Sequence, residues 1–233
     1  TSWKDLVLME FEELCTTAQF RLARHRIRSF GVMKIREELE QAGFIDPRSN
    51  KLTTSMLPFN VFARIVSGAM VQDNMEADQA KLGEYADRFL IVKNRPEWDD
   101  MWASPDPTWV GKVSMSKRHV FITMKDLSWE WFNVLTVGLV SCDLRAAISR
   151  LEHLRNAALR FASLTPGWPA SEKVGIFVNV YGHSKVNSFH AHVVDMENLG
   201  PTFKKLAYKN LPLESVLAVL REEAPPEVLT FTF

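Results

Sequence analysis

The sequence predicts an α+β fold, in which an antiparallel sheet of about five strands is crossed by a long helix and preceded by an α-helical extension. Three observations predict it. Apolar residues recur at three- and four-residue spacing over residues 3–42 and again over residues 128–163, as in amphipathic helices. Short β-prone runs bounded by turn formers occupy much of the rest, which is typical of antiparallel strands.

The N-terminal extension is expected to be helical until Gly43, a plausible helix stop. Its segment Phe20–Phe30, FRLARHRIRSF, carries four arginines and one histidine. Such a basic helix either binds RNA, an acidic partner or a membrane surface, or is a solvated face without any partner. The turn-rich segment Phe44–Phe59 predicts a boundary, so that the extension is assigned to residues 1–57.

The main domain is assigned to residues 58–211. Two of its runs, Arg88–Asn94 and Trp109–Ser116, are predicted to be strands. The long helix is predicted to begin with Ser128 as its N-cap and to end before the segment Thr165–Pro169.

Two more apolar runs, Val174–Gly182 and Val186–Val194, are expected to pair as neighbouring antiparallel strands. In residues 212–233 we expect a last helix around Leu213–Glu223 and an alternating, strand-like end.

Composition excludes several classes of protein. The chain of 233 residues has 28 basic and 28 acidic side chains, which argues against a polyanion-binding surface over the whole molecule but permits a local basic patch. Its two cysteines, Cys15 and Cys142, lie far apart, so neither a disulfide framework nor a cysteine-based zinc site is expected. No apolar run approaches the roughly 18 residues of a membrane span. We expect an intracellular protein, with cytoplasm and mitochondrial matrix both open.

Two histidines stand one residue apart in VNSFHAHVV. In a strand alternate side chains share a face, so Ser188, His190 and His192 are expected on one side. A polar face on a half-solvated strand needs no function, and spacing alone leaves structural and chemical roles open. Two alternating histidines without an acidic or thiol partner make a weak metal site, so no metal is expected, and no cofactor is implied.

Four motifs follow one another in a recognisable order. They are FARIVSG (Phe62–Gly68), YADRFLIVKNRP (Tyr85–Pro96), SKRHVFITMKDL (Ser116–Leu127) and VNSFHAHVV (Val186–Val194). This order resembles that of the histidine-triad superfamily of nucleotide-binding proteins, although Ser116 stands where proline is usual. The segment Pro201–Leu211, PTFKKLAYKNL, is similar to the aprataxin branch. The resemblance covers about residues 58–211.

The resemblance implies a mechanism for the paired histidines. Ser188 takes the place of the first histidine of the triad, His190 of the second and His192 of the third. In the family the second histidine attacks the α-phosphorus of a nucleotide ester, anhydride or phosphoramidate, giving a nucleotidyl-histidine. His190 would then be the nucleophile, and His192 would donate to the phosphoryl oxygens. Another register, with His192 as nucleophile and Val194 in the third place, stays open.

Three further residues are candidates for nucleotide binding. Lys185 stands where the family often has a small hydroxyl residue, and either neutralises phosphate charge or fills the pocket. Asn179 and His183 precede the motif and are expected near the sugar or phosphate, although Asn179 also fits a solvent-facing strand position. His119 matches a family position that usually supports the fold.

Two functions from different classes therefore remain open. The first is a nucleotidyl hydrolase or transferase that uses His190. The second is a domain that has lost catalysis and serves as a structural or adaptor subunit, in a mitochondrial or ribonucleoprotein assembly for example. Whether the chain is an enzyme is left undecided, and so is the homodimer that the family usually forms.

Overall fold

The structure, a computed structural model, describes residues 13–54, 60–72, 75–139, 144–179 and 188–225. The helices in these ranges are α1 (Thr17–Phe30), α2 (Val32–Gln41), α3 (Val61–Val66), α4 (Met75–Ala80), α5 (Pro96–Asp100), α6 (Leu144–Leu164), α7 (Pro201–Leu206) and α8 (Leu213–Glu223). The strands are β1 (Ile45–Asp46), β2 (Lys51–Leu52), β3 (Phe89–Lys93), β4 (His119–Met124), β5 (Val174–Val178), β6 (His190–Asp195) and β7 (Leu211–Pro212). The predicted α+β class is confirmed, with its antiparallel sheet, long helix and N-terminal helices.

The main sheet has five strands in the order β3-β4-β6-β5-β7, and all neighbours are antiparallel. Phe121 of β4 lies opposite His192 of β6, which lies opposite Phe177 of β5. Because directly paired residues share a face and successive residues alternate, this register divides the sheet into two sides. The helix face carries Phe89, Ile91, Val120, Ile122, Met124, Val178, Ala191 and Val193. The histidine face carries Leu90, Val92, His119, Phe121, Thr123, Phe177, His190 and His192.

The helix face packs against α6 in the main hydrophobic core. Helix α6 is amphipathic, and one stripe of its side chains is buried: Ala147, Ile148, Leu151, Leu154, Ala157, Ala158, Phe161 and Ala162. Burial of such a stripe, rather than the helix propensity of the residues, stabilises a helix of this kind.

Part of the histidine face is covered by a smaller element, the six-residue helix α3. Phe62 and Ile65 of α3 pack with Leu90 and Val92 of β3 in a second hydrophobic cluster that also contacts Phe121. The two sides of the sheet are therefore buried by elements of very different size.

The N-terminal helices belong to the main core. A capping box starts α1, in which Thr16 and Gln19 exchange side-chain to backbone hydrogen bonds. Phe20 and Ile27 of α1 are fully buried in the same cluster as the helix face. Arg24, only 1% exposed, forms an ion pair with Glu223 of α8 at 2.7 Å and donates to two backbone carbonyls in residues 135–137. The predicted boundary after residue 57 stays a prediction.

The long helix begins later than the sequence predicts. Residues 129–131 form a 3-10 turn and the described chain up to residue 139 continues in turns, so Ser128 does not cap α6. Asn133 accepts from the N–H of Leu135 and the Thr136 hydroxyl donates to the carbonyl of Glu130, which gives the backbone an alternative to helical hydrogen bonds. Gly138 then adopts a positive φ of 69°, which a continuing helix does not allow.

The predicted strand Trp109–Ser116 is also wrong. Val110 and Val113 donate their N–H groups to carbonyls four residues earlier in the chain, and Gly111 has a φ of 94°. These local turns use the groups that a strand would offer to its neighbour, and only Ser116 makes an isolated bridge, to Leu199.

The other predicted strands and the predicted last helix agree better with the structure. β3 lies within Arg88–Asn94, β5 starts the predicted run Val174–Gly182, and β6 contains both histidines of the motif. Helix α8 has the predicted bounds. The strand-like end of the chain lies outside the described residues. Across the described ranges, none of the helices combines the length and apolarity needed to cross a bilayer.

Candidate functional site

Three histidines meet on the histidine face. His190 and His192 lie on β6, and His119 lies on the neighbouring strand β4. All three are buried, with 4%, 4% and 6% of their surface exposed respectively. Neighbouring ring centroids are 5.2 Å apart, both between His190 and His192 and between His119 and His192. Strand alternation therefore places the two predicted residues together, and strand pairing adds a third.

His190 is held in one tautomer by the backbone. Its Nδ1 lies 3.0 Å from the carbonyl oxygen of Ser188. A carbonyl can only accept, so Nδ1 carries the proton and Nε2 keeps a lone pair on the neutral ring. Burial lowers the pKa of His190 to about 4, so the ring is neutral at pH 7. A neutral imidazole with a fixed lone pair is the form that nucleophilic catalysis requires.

His192 is held in the opposite tautomer. The backbone N–H of Met115 donates to Nδ1 of His119 at 3.3 Å, so the proton of a neutral His119 is on Nε2. That Nε2 lies 3.0 Å from Nδ1 of His192, which must accept. The proton of His192 is consequently on its Nε2. The cluster presents one ring nitrogen as an acceptor, on His190, and one as a donor, on His192.

Asn179 is not at a solvent-facing position. It follows β5, is 5% exposed, and its side-chain amide lies 3.2 Å from Nε2 of His192. The amide nitrogen, Nδ2, is the atom at this distance. Because the tautomers assigned above place a proton on Nε2 of His192, the amide must be rotated by 180° so that its oxygen accepts, and the nitrogen and oxygen of an amide are distinguished only by such hydrogen bonds. Of the predicted nucleotide-binding residues, Asn179 thus joins the cluster. Lys185 and His183 lie outside the described residues.

Ser188, which the resemblance aligns with the first histidine of the triad, contacts the helix α3 that covers the site. Its hydroxyl oxygen accepts from the backbone N–H of Ala63 in the first turn of α3, at 3.1 Å. Its φ of 74° is in the left-handed region, which a serine rarely adopts and which costs about 1–3 kcal/mol. In this conformation its carbonyl reaches His190 while its hydroxyl reaches α3, so Ser188 links the histidine to the cover.

Phe62 covers His190. The two rings are stacked, with centroids 4.1 Å apart and planes 17° from parallel. The cavity beside His190 has a volume of about 10 Å³, and its lining includes Asn133, Val178 and Asn179. That is room for about one water molecule, whereas ligand sites span about 300–1,000 Å³. A larger cavity of about 320 Å³ lies near Arg28, and none of the three histidines is among the described residues that line it.

Burial keeps the whole cluster uncharged. It lowers the pKa of His119 to about 3, with a smaller effect from His190. Burial also lowers the pKa of His192 well below its usual value, and the charges of His119, His190 and Lys209 lower it further. Neutral rings are needed both for the lone pair of His190 and for the tautomers assigned above.

Three members of this environment are not predicted as site residues from the sequence. His119 was assigned to the fold alone, Phe62 was noted only as part of a motif, and Lys209 was not singled out. Lys209 is half-buried, and burial lowers its pKa. No spacing in the sequence joins these residues to the motif, because the pairing of β4 with β6 and the position of α3 bring them there.

The positive charge of the basic helix α1 is largely compensated by acidic side chains of the same chain. Arg21 forms two hydrogen bonds of 2.8 Å to Glu222, Arg24 pairs with Glu223, and Arg28 lies 3.5 Å from Glu223. Three of its four arginines therefore face carboxylates of α8. This favours the interpretation of α1 as a face without a nucleic-acid partner, because binding to a phosphate backbone depends on uncompensated positive charge.

Comparisons with known proteins do not assign the chain to a family: no family model, no curated protein and no solved structure matches it. Within the described ranges, no three His, Cys, Asp or Glu side chains are grouped so as to hold a metal ion. The geometry of the histidine cluster and the resemblance of the motifs are therefore the two indications of function.

Proposed function

We propose that this chain is a histidine-triad-like nucleotide-binding domain that transfers or hydrolyses a nucleotidyl group through His190. One observation carries the proposal: adjacent imidazoles on one strand are held in opposite tautomers, His190 with its lone pair on Nε2 and His192 with its proton on Nε2. Packing alone does not require such a pair. A reaction at phosphorus uses both members, one as nucleophile and one as donor.

The proposed reaction has two steps. Nε2 of His190 forms a bond to the α-phosphorus while the bond from phosphorus to the leaving group breaks, and the leaving group takes its electron pair and a proton from solvent. Nε2–H of His192 donates to a phosphoryl oxygen, where charge increases in the transition state. Water then attacks phosphorus and gives its proton to solvent, while the bond to Nε2 breaks and leaves its electron pair on nitrogen, so that His190 returns to its neutral form.

The tautomers also favour one of the two registers. A nucleophilic His192 would need a lone pair on the nitrogen that faces the phosphate, whereas its Nε2 carries the proton. The third place would then belong to Val194, which has no polar atom in its side chain. The register with His190 as nucleophile agrees better with both facts.

A second candidate function is a non-catalytic subunit, and a specific observation favours it. Phe62 stacks on His190 and leaves a cavity of about 10 Å³, so a nucleotide reaches Nε2 only after α3 moves. In this alternative the histidines are a buried hydrogen-bonded network, and the chain contributes to a larger assembly. Buried hydrogen-bonded networks also occur in protein cores that have no catalytic role.

Intact-protein mass spectrometry tests the first candidate. The protein is incubated with adenosine and guanosine phosphoramidates and with dinucleoside polyphosphates, while product release is followed in parallel. We expect turnover, or an adduct with the mass of one nucleotidyl group, in the native chain and its loss in His190→Ala. His25→Ala, which changes an exposed histidine on α1, is the matched control and should behave like the native chain.

The outcomes separate the two candidates. An adduct that depends on His190 supports the enzyme. Neither turnover nor adduct, at protein concentrations high enough to show a few turnovers per hour, contradicts it and supports the non-catalytic subunit. Equal activity in native chain and His190→Ala would mean that the reaction uses another residue, and the proposed mechanism would be wrong.

A further inference from the structure

A line of polar side chains runs from the surface of the domain to the histidine cluster. The hydroxyl of Ser114 donates to the carboxylate of Asp99, and both residues lie in the segment that joins β3 to β4. The Nδ2 of Asn94 donates to the Ser114 oxygen at 2.6 Å and lies 3.3 Å from Nδ1 of His119. Ser114 is buried, and Asn94 and Asp99 are half-buried. None of these three residues belongs to the motif with the paired histidines.

Each hydrogen bond in this line has a fixed direction. An ionised carboxylate only accepts, so the single proton of Ser114 is committed to Asp99 and its oxygen accepts from Asn94. The NH₂ end of the Asn94 amide must therefore point toward Ser114. The same nitrogen faces Nδ1 of His119, which accepts. An amide rotated by 180° would instead place two acceptors against each other.

The hydrogen bonds of His119 also have a fixed direction. Two donors, the backbone N–H of Met115 and the amide of Asn94, face its Nδ1 and leave its proton on Nε2. That proton goes to Nδ1 of His192. The tautomer of His192 is thus the last link of a chain that begins at Asp99.

We propose that His119 and Asn94 are positioning residues that keep His192 in the tautomer that donates to a ligand phosphate, and that Ser114 and Asp99 orient Asn94 for this purpose. The proposal deepens the function proposed above and depends on it for its purpose, although the tautomers themselves are measurable without any substrate. It assigns His119 a role in the chemistry of the site in addition to its place in the fold.

Nitrogen-15 NMR of histidine-labelled protein at pH 7 tests the proposal, because protonated and unprotonated ring nitrogens have well-separated shifts. In the native chain we expect protonated Nε2 and unprotonated Nδ1 for His119 and His192, and the reverse for His190. In His119→Leu, Nδ1 of His192 loses its donor, and its signal should move toward the protonated range. His119→Gln is the matched variant, because its amide N–H can occupy the position of Nε2 and preserve the native pattern.

Asn94→Leu tests the outer part of the chain. It leaves the N–H of Met115 as the donor to His119, so the Nδ1 signal of His119 should shift partly toward the protonated range. Asn156→Leu, at an exposed position of α6, is the control and should leave all ring signals unchanged. Unchanged His192 shifts in His119→Leu would overturn the proposal, and unchanged His119 shifts in Asn94→Leu would overturn the role of Asn94, Ser114 and Asp99.

Activity gives a second readout that a purely structural role would not produce. If the chain turns over a nucleotide, His119→Leu should lower kcat about tenfold or more with little change in KM, and His119→Gln should restore most of it. Turnover without the expected tautomers would leave the proposed function standing and remove this inference. The expected tautomers without turnover would support the positioning chain and contradict the proposed function.

Discussion

The two faces of the main sheet are built from the same strands but differ in the kind of contacts they make. On the helix face, apolar side chains such as Ile122 and Val193 pack against the 21-residue helix α6. Such contacts are non-directional, and similar side chains of the same volume substitute at modest cost. On the histidine face, Nδ1 of each of the three rings has a hydrogen-bond partner at a set distance, and the helix that covers His190 has only six residues.

This difference indicates where the molecule can change shape. Separating α6 from the sheet exposes most of the core, which is too costly for a functional motion. Separating α3 exposes the small cluster around Phe62 and breaks the hydrogen bond from Ala63 to Ser188. Access to the histidines is therefore expected from the side of α3.

The largest expected effect comes from removing the cover. Phe62→Ala should increase the rate at which diethyl pyrocarbonate modifies His190 by about tenfold or more, because the reagent attacks an unprotonated ring nitrogen and Phe62 is stacked on that ring. Mass spectrometry of peptides at pH 7 measures the rate. Phe161→Ala, which removes an equally buried ring from the opposite face, should destabilise the fold without this increase. Equal rates in the two variants would show that the comparison of the faces is wrong.

The next largest expected effect is a dependence of the free energy of unfolding on pH, which is caused by His190 on the histidine face. Burial lowers the pKa of His190 to about 4, from an unfolded value near 6.5. Between these values the unfolded chain binds a proton that the folded chain does not. The free energy of unfolding therefore falls as pH drops from about 6.5 toward 4, by up to about 1.4 kcal/mol per pH unit.

Urea denaturation at pH 7, 6 and 5 measures this contribution when native protein and His190→Gln are compared. The variant should lose less stability over the interval, because one titrating ring is gone. His25→Gln removes a ring that stays in solvent, and its pH dependence should match that of the native chain. The same slope in all three proteins would mean that His190 is not buried as a neutral ring in solution.

The smallest expected effect distinguishes the contribution of the Ser188 hydrogen bond to stability from that of its left-handed backbone conformation. Ser188→Ala loses the hydrogen bond to Ala63 and keeps the unfavourable φ, whereas Ser188→Gly loses the same bond but adopts that φ without a steric penalty. We expect the glycine variant to be more stable than the alanine variant by about 1 kcal/mol. Thermal unfolding of both variants measures the difference. Higher stability of the alanine variant would argue against a left-handed conformation at this residue.

The described structure also shows which features of the fold can be predicted from the sequence. Periodicity predicted the N-terminal helices, the long helix α6 and the strands β3, β5 and β6, and it located α8 correctly. It failed at residues 128–139, where apolar spacing is helical but Asn133, Thr136 and Gly138 favour turns. Hydrophobic spacing indicates which residues are buried. Side chains that hydrogen-bond to nearby backbone groups then decide the local conformation.

For the candidate site, the sequence by itself determined that His190 and His192 share one face, because strand alternation is a local property of the backbone. The tertiary structure alone decided that His119 hydrogen-bonds His192 across 73 residues of chain, that Phe62 covers His190, and that Ser188 holds α3 instead of facing a ligand. These contacts depend on the register between strands distant in sequence and on where a short helix packs. No local pattern of residues encodes either, because both follow from the burial of the whole sheet.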